Sequence, residues 1–306
     1  MSAIEVSGLK KTYGATRAVD GIDFDVQPGE VFALLGPNGA GKTTTVEMIE
    51  GLRAPDSGSI RVLGLDPRSD LQKIKARIGI QLQTTSLYPR LTVREVIDLF
   101  ASFFDGRKPI PTGDLIEMVG LREKAATRSK DLSGGQKQRL SVALALVNDP
   151  EMVFLDEPTT GLDPQARRNL WDVISGLQKR GKTLLMTTHY LEEAETLCDR
   201  VAVVDHGKII ALDSPEELIR QNFKETAIEF TTAGAPSLDA LSALPGVSDA
   251  KTKEGAVTLY SADVPRTMAG LLQMSERKEL KFRDMSVRNA TLEDVFLKLT
   301  GRSIRD

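Results

Sequence analysis

The run Gly36, Pro37, Asn38, Gly39, Ala40, Gly41, Lys42, Thr43, Thr44 sets small, flexible residues ahead of a lysine and two hydroxyls. Glycines let the backbone turn tightly, so that successive N–H groups can point inward at phosphate oxygens. A helix that starts at the end of the run adds the partial positive charge of its N-terminus. Lys42 supplies a mobile ammonium for outer phosphates, and the Thr43 hydroxyl can take one place on an octahedral Mg²⁺. The pattern G-x-x-x-x-G-K-T therefore reads as a cradle for a phosphate chain.

Two more segments carry chemistry. Val153-Phe-Leu-Asp156-Glu157 is an apolar run that delivers two carboxylates at its end. Asp156 is suited to hold Mg²⁺, directly or through water, and Glu157 to polarise a water that attacks the γ-phosphate. Between cradle and carboxylates lies Leu132, Ser133, Gly134, Gly135, Gln136, a small-residue turn that opens a helix. It is a second anion-binding helix start in a chain with one cradle, which makes sense if it serves the nucleotide held by another copy.

These residues need elements to hold them. Val31 to Leu35 reads as a buried strand leading into the cradle, and Thr44 to Glu50 as the helix after it. Ile4 to Tyr13 and Thr16 to Val26 read as antiparallel strands. Leu91 to Phe104, Thr112 to Val119 and Gly134 to Val147 read as helices, with Pro109-Ile-Pro111 separating the first two. Strand Met152 to Leu155, helix Pro164 to Arg180, strand Thr183 to Thr187 and helix Leu191 to Leu197 follow, with His206 in a hairpin. Such alternation implies an α/β domain with a mainly parallel sheet covered on both faces. After helix Pro215 to Gln221 the order becomes strand 227–232, helix 237–244, two strands about a Lys253-Glu-Gly255 turn, helix 264–274, strand 280–287 and helix 292–299. That is β-α-β-β-α-β plus a helix, a split βαβ or ferredoxin-like α+β arrangement. The expected domains are 1–221, with a helical subdomain at about 88–147, and 222–306.

Together the three motifs, in this order over roughly residues 4 to 213, resemble an ATP-binding cassette (ABC) ATPase. The resemblance implies a P-loop NTPase cassette that binds ATP and Mg²⁺, with an N-terminal antiparallel β subdomain and a helical subdomain. It gives Tyr13 the role of stacking on the adenine and Asp163 that of linking paired active sites. It gives His189 a contact to the γ-phosphate. Gln83 matches the glutamine that contacts Mg²⁺ and the attacking water, although Gln81 lies two residues earlier and Leu82 stands where the family usually has proline. The implied assembly is a head-to-tail homodimer, with Lys42, Asp156, Glu157 and His189 of one copy facing Ser133 to Gln136 of the other. The segment Thr84 to Arg94 matches the region that receives membrane subunits. Ala290 to Gly301 resembles the tail of ATPase subunits of ABC-2 type exporters, implying a multi-span membrane permease as partner. A soluble cassette ATPase acting on ribosomes or nucleic acid, or a ligand-regulated ATPase, is the alternative.

Bulk properties agree with that frame. With 306 residues, one large domain plus a smaller one is expected. A net charge of −3 argues against a strongly basic nucleic-acid binder. The single cysteine, Cys198, rules out an intramolecular disulfide and a cysteine-rich zinc site; with no charged-then-apolar leader, a reducing cytoplasm is expected. No apolar run approaches the roughly 18–20 residues that span a bilayer, so a place on the cytoplasmic face of the membrane would be peripheral and depend on the permease.

Overall fold

The computed structural model describes residues 1–82, 87–104, 109–232, 237–253, 256–277 and 280–301. Gln83, Thr84 to Ser86 and the Glu254-Gly255 turn lie outside the described residues. The chain divides into two compact units, one running from Met1 to Pro215 and the second beginning at Glu216.

In the first unit β1 (Ile4–Tyr13) and β2 (Thr16–Val26) precede β3 (Val31–Leu35) and α1 (Lys42–Ile49). Next come β4 (Ser57–Val62), α2 (Leu71–Lys75) and β5 (Ile78–Gln81). The helices α3 (Val93–Ala101), α4 (Thr112–Met118) and α5 (Gly134–Leu146) lead to β6 (Met152–Asp156). The unit closes with α6 (Pro164–Lys179), β7 (Thr183–Thr188), α7 (Leu191–Leu197), β8 (Arg200–Asp205) and β9 (Lys208–Asp213). Six strands form one sheet in the order β5-β6-β7-β3-β8-β9, parallel except for the β8/β9 hairpin. β3, β6 and β7 are buried at every position, as expected of strands with helices on both faces. A separate antiparallel sheet, β2-β1-β4, takes the alternating strands at the N-terminus and buries Ile4, Val6 and Leu9 on its inner side.

Local chemistry fixes the ends of the helices that matter for the site. α3 is shorter than the expected 91–104 at both ends: Thr92 and Glu95 form a capping box that starts the helix at Val93, and it stops at Ala101 with Ser102 as its C-cap. β4, α2 and β5 were not anticipated as separate elements. Only Ile60 and Val62 of β4 are buried, and β5 has four residues, one of them glycine. Gly79 in β5 is required by packing, since a Cβ there would lie 1.8 Å from the Ala145 carbonyl oxygen of α5.

In the second unit α8 (Pro215–Asn222) is followed by β10 (Thr226–Thr232), α9 (Leu238–Ser242), β11 (Val247–Lys253), β12 (Ala256–Ser261), α10 (Val264–Glu276), β13 (Phe282–Arg288) and α11 (Leu292–Thr300). Its sheet has the order β11-β12-β10-β13, antiparallel throughout, over a core that includes Ile228, Phe230, Leu241, Val257, Leu259 and Leu271. The break falls near the start of α8, whereas the sequence places that helix ahead of a break at 221/222. Leu218 is buried and Lys298 Nζ donates to the Asn222 carbonyl at 2.5 Å, which ties α8 to α11.

Candidate active site

The glycine-rich loop leaves β3 at the middle of the parallel sheet and ends at α1. Two of its glycines are dictated by space and dihedral angle. A Cβ on Gly36 would stand 2.1 Å from the Val204 carbonyl oxygen, and one on Gly41 would stand 2.2 Å from that of Ala18, with φ +104° at Gly41. Gly41 is also the N-cap of α1 and offers no side-chain acceptor, so the first N–H groups of the helix have no capping side chain. A cleft of about 320 Å³ opens there, lined by Tyr13, Ala18, Asn38, Gly39, Gly41, Lys42, Thr43, Thr44 and Glu157. Pro37 and Ala40 complete the loop, their carbonyls accepting from Lys42 Nζ and from the Gly207 N–H.

Lys42 is 4% exposed. Its Nζ donates to the carbonyls of Gly36 (2.7 Å) and Pro37 (3.0 Å) and lies 3.6 Å from Glu157 Oε1. Burial lowers its pKa, and the nearby carboxylates of Glu157 and Asp156 oppose that shift. Asp156 ends β6, two strands along the sheet from β3 with β7 between them, and Thr43 Oγ1 lies 3.4 Å from its Oδ1. Thr187 Oγ1 donates to the same oxygen at 2.5 Å. Burial raises the pKa of Asp156 and the charge of Glu157 raises it further, against the hydrogen bonds from Thr187 and Thr43 and the charge of Lys42. A hydroxyl and a buried, crowded carboxylate at this separation suit a hard divalent cation, whose charge would relieve the carboxylate pair.

Glu157 has the left-handed conformation, φ +45°, which is strained for a residue with a side chain. Its N–H donates to the Thr187 carbonyl (3.2 Å) and Thr187 Oγ1 (3.0 Å), and Thr160 Oγ1 donates to its Oε2 at 3.1 Å. His189 follows the end of β7 and puts Nδ1 3.3 Å from Glu157 Oε1, too poorly aligned to count as a hydrogen bond. Lys42, Thr43, Asp156, Glu157 and His189, from three separate stretches of sequence, thus meet where Lys42, Thr43 and Glu157 line the cleft. The Tyr13 ring, 41% exposed, forms another part of its wall, with Arg53 and Lys11 5.3 and 5.7 Å from the ring centroid.

The remaining predicted residues lie elsewhere. Ser133 caps α5: the Gln136 N–H donates to its Oγ at 3.3 Å, and the Ser133 N–H donates to Gln136 Oε1 at 3.0 Å. Ser133 and Gly134 are exposed, and among the described residues none of Ser133 to Gln136 lines the cleft. Asp163 caps α6 by accepting from the Ala166 N–H at 2.8 Å. The starts of α5 and α6 lie against each other, since a Cβ on Gly135 would be 2.6 Å from Ala166 Cβ. Gln81 is the last residue of β5, 1% exposed, with Nε2 donating to the Leu82 carbonyl and Oε1 unpartnered. Gln83 is outside the described residues. Sequence reasoning missed three side chains around the site. These are Thr187, which bonds both Asp156 and the Glu157 backbone, the buried Glu50 at the end of α1, and the buried Glu193 of α7.

Comparison with known proteins agrees with this geometry. The ABC transporter family model matches residues 19–160. The chain is 43% identical over 311 residues to the Nod factor export ATP-binding protein I of Paraburkholderia xenovorans (strain LB400), covering 100% of this chain and 99% of that protein. It is 40% identical over 308 residues to the protein of the same name from Ralstonia nicotianae (strain ATCC BAA-1114 / GMI1000), covering 99% and 95%. Among solved structures, an ATP-binding subunit of an ABC transporter superposes with a TM-score of 0.64 at 29% identity, over 72% of this chain and 93% of that one. A dimeric ATP-binding cassette in a post-hydrolysis state with ADP and Pi superposes with a TM-score of 0.62 at 25% identity, over 69% and 98%. With relatives this close along its whole length, and the phosphate cradle and acidic pair at the end of one sheet, the chain belongs to the ABC transporter family as one of its ATP-hydrolysing subunits.

Proposed function

We propose that this ATPase binds ATP and Mg²⁺ in the cleft and closes as a homodimer. The closure and subsequent hydrolysis would power export through a separately encoded membrane permease. The observation that carries the reading is the convergence of Lys42 Nζ and His189 Nδ1 on one oxygen of Glu157, at 3.6 and 3.3 Å, beside the glycine-rich loop. The loop N–H groups and Lys42 bind and orient the phosphates, and Tyr13 borders the base. Thr43 and Asp156 are the residues that would hold Mg²⁺, and the family resemblance assigns Gln83, or Gln81, as the glutamine that would contact it. The ion supplies charge neutralisation at the phosphates when bound. Glu157 accepts the proton of the attacking water, and His189 contacts the γ-phosphate. ATP and water give ADP and phosphate, and the contact that held the site shut is lost.

Ser133 to Gln136 and Asp163 lie outside the cleft of their own chain because they serve the cleft of the second copy. Both are exposed helix starts on adjoining helices, as an isologous interface requires. The direction of transport follows the relatives, which are ATP-binding proteins of Nod factor export. Among the described residues no helix is long and apolar enough to cross a membrane. On this reading the permease is a separate chain, with this subunit against it on the cytoplasmic face. The second unit is read as a ferredoxin-like accessory domain that stabilises the dimer or regulates it, and no nucleic acid is a partner. Glu157→Gln tests the reading. Phosphate release should fall by roughly 10²–10⁴-fold while ATP still binds; steady-state turnover at the wild-type rate contradicts it. Co-expression with the permease should raise the ATPase rate, and a rate indifferent to it removes the transport part.

A further inference from the structure

Hydrogen-bonded to the residue just before His189 is a buried carboxylate that the reaction does not use. Glu193 is fully buried on α7, and its two oxygens have separate partners. Thr188 Oγ1 donates to one at 2.6 Å, and Trp171 Nε1 of α6 donates to the other at 3.2 Å. The Thr188 hydroxyl also accepts from the Tyr190 N–H at 2.9 Å. The backbone on both sides of His189 is therefore pinned through one hydroxyl, whose own direction is set by Glu193.

A second contact runs in parallel. The His189 and Tyr190 rings pack with centroids 4.3 Å apart, and the Arg167 guanidinium, one turn before Trp171 on α6, covers the Tyr190 ring at 4.4 Å. The helix that supplies Arg167 and Trp171 is the one that Asp163 caps. A fully buried acid in a site without a ligand of its own is costly unless its hydrogen bonds do something the fold needs, and here they end on the turn that aims His189 at Glu157.

We propose that Glu193 is a positioning residue for hydrolysis, holding the Thr188–Tyr190 turn so that His189 meets the γ-phosphate, and that through Trp171 it links this turn to α6. The inference rests on the ATPase reading of the same site. It leaves a clear optical signature, because Trp171 is the only tryptophan of the chain. Drawing His189 onto a γ-phosphate pulls the turn, shifts Glu193 and changes the surroundings of the indole N–H.

The test uses the full chain and three variants. Thr188→Val is nearly isosteric and removes the hydroxyl, Thr188→Ser keeps it, and Glu193→Met removes both acceptors at similar side-chain length. Turnover at saturating ATP should fall by at least about tenfold in Thr188→Val and Glu193→Met, with KM unchanged because the cradle is untouched, and Thr188→Ser should restore most of it. Trp171 emission of the wild type should differ between the β,γ-imido analogue of ATP and ADP. That difference should vanish in Thr188→Val, whose folding is checked by circular dichroism. Wild-type turnover in both variants overturns the proposal while leaving the ATPase reading intact. An emission that is the same with analogue and ADP in the wild type, or a difference that persists in Thr188→Val, also overturns it. A fall in kcat that Thr188→Ser does not restore, accompanied by a matching rise in KM, would mark a merely structural role and overturn it too. A wild type that does not hydrolyse ATP at all removes the ATPase reading, and this inference with it.

Discussion

Glu50 gives a pH dependence that can be worked out from its surroundings. Its carboxyl sits at the end of α1, 2% exposed, where burial first and then the charges of Asp156 and Glu47 push its pKa up from 4.5 to about 8. The negative end of the helix acts in the same direction. In the folded protein the group keeps its proton up to about pH 8, whereas in the unfolded chain it releases it near 4.5. Between those values the folded state binds more protons, so its stability is complete below the unfolded pKa and falls as pH rises, by about 1.4 kcal/mol per pH unit and about 5 kcal/mol across the window. Glu50→Gln keeps the shape and removes the ionisation. Urea unfolding followed by Trp171 fluorescence reports on the first unit alone, since that tryptophan lies in α6. Measured from pH 5 to 8.5, the variant should gain on the wild type steadily and be the more stable of the two at pH 8.5. Stability curves that stay parallel over this range would refute the buried, neutral Glu50.

Two other substitutions probe the cradle. Lys42→Ala removes a buried counter-charge and should weaken ATP binding by about 10–100-fold in titration calorimetry, the scale of one charge-assisted hydrogen bond; unchanged affinity contradicts the assignment. Gly36→Ala forces a methyl to within 2.1 Å of the Val204 carbonyl, so the loop must move at a cost of about 2–3 kcal/mol, read as a lower thermal midpoint together with lost ATP binding. A variant that melts and binds like the wild type would mean the loop has room that the structure denies it.

The cradle was legible because its demands are local. Backbone approach at Gly36 and Gly41 admits no Cβ, the lysine and hydroxyls follow at fixed offsets, and β3 ahead of them is wholly apolar. The acidic pair was legible for the same reason, as the end of a buried run. The shell behind it was not. In Leu191-Glu-Glu-Ala-Glu-Thr the three glutamates look alike, and only the packing of α7 on α6 buries Glu193 while Glu192 stays exposed. Glu50 likewise reads as an ordinary end of a helix until β6 brings Asp156 near it. β4 escaped because only Ile60 and Val62 of it are buried, and β5 because four residues are too few to show a period. The separation of Ser133 to Gln136 from the cleft is legible only as a puzzle about copy number, and a single folded chain poses it again in space.

That puzzle is where the account is most exposed. Light scattering of the Glu157→Gln variant, 33.4 kDa per chain, should show one chain without nucleotide or with ADP and twice that mass with ATP and Mg²⁺. A protein that stays a single chain with ATP, while the wild type, likewise a single chain, hydrolyses ATP at full rate, would contradict an active site completed by a second copy.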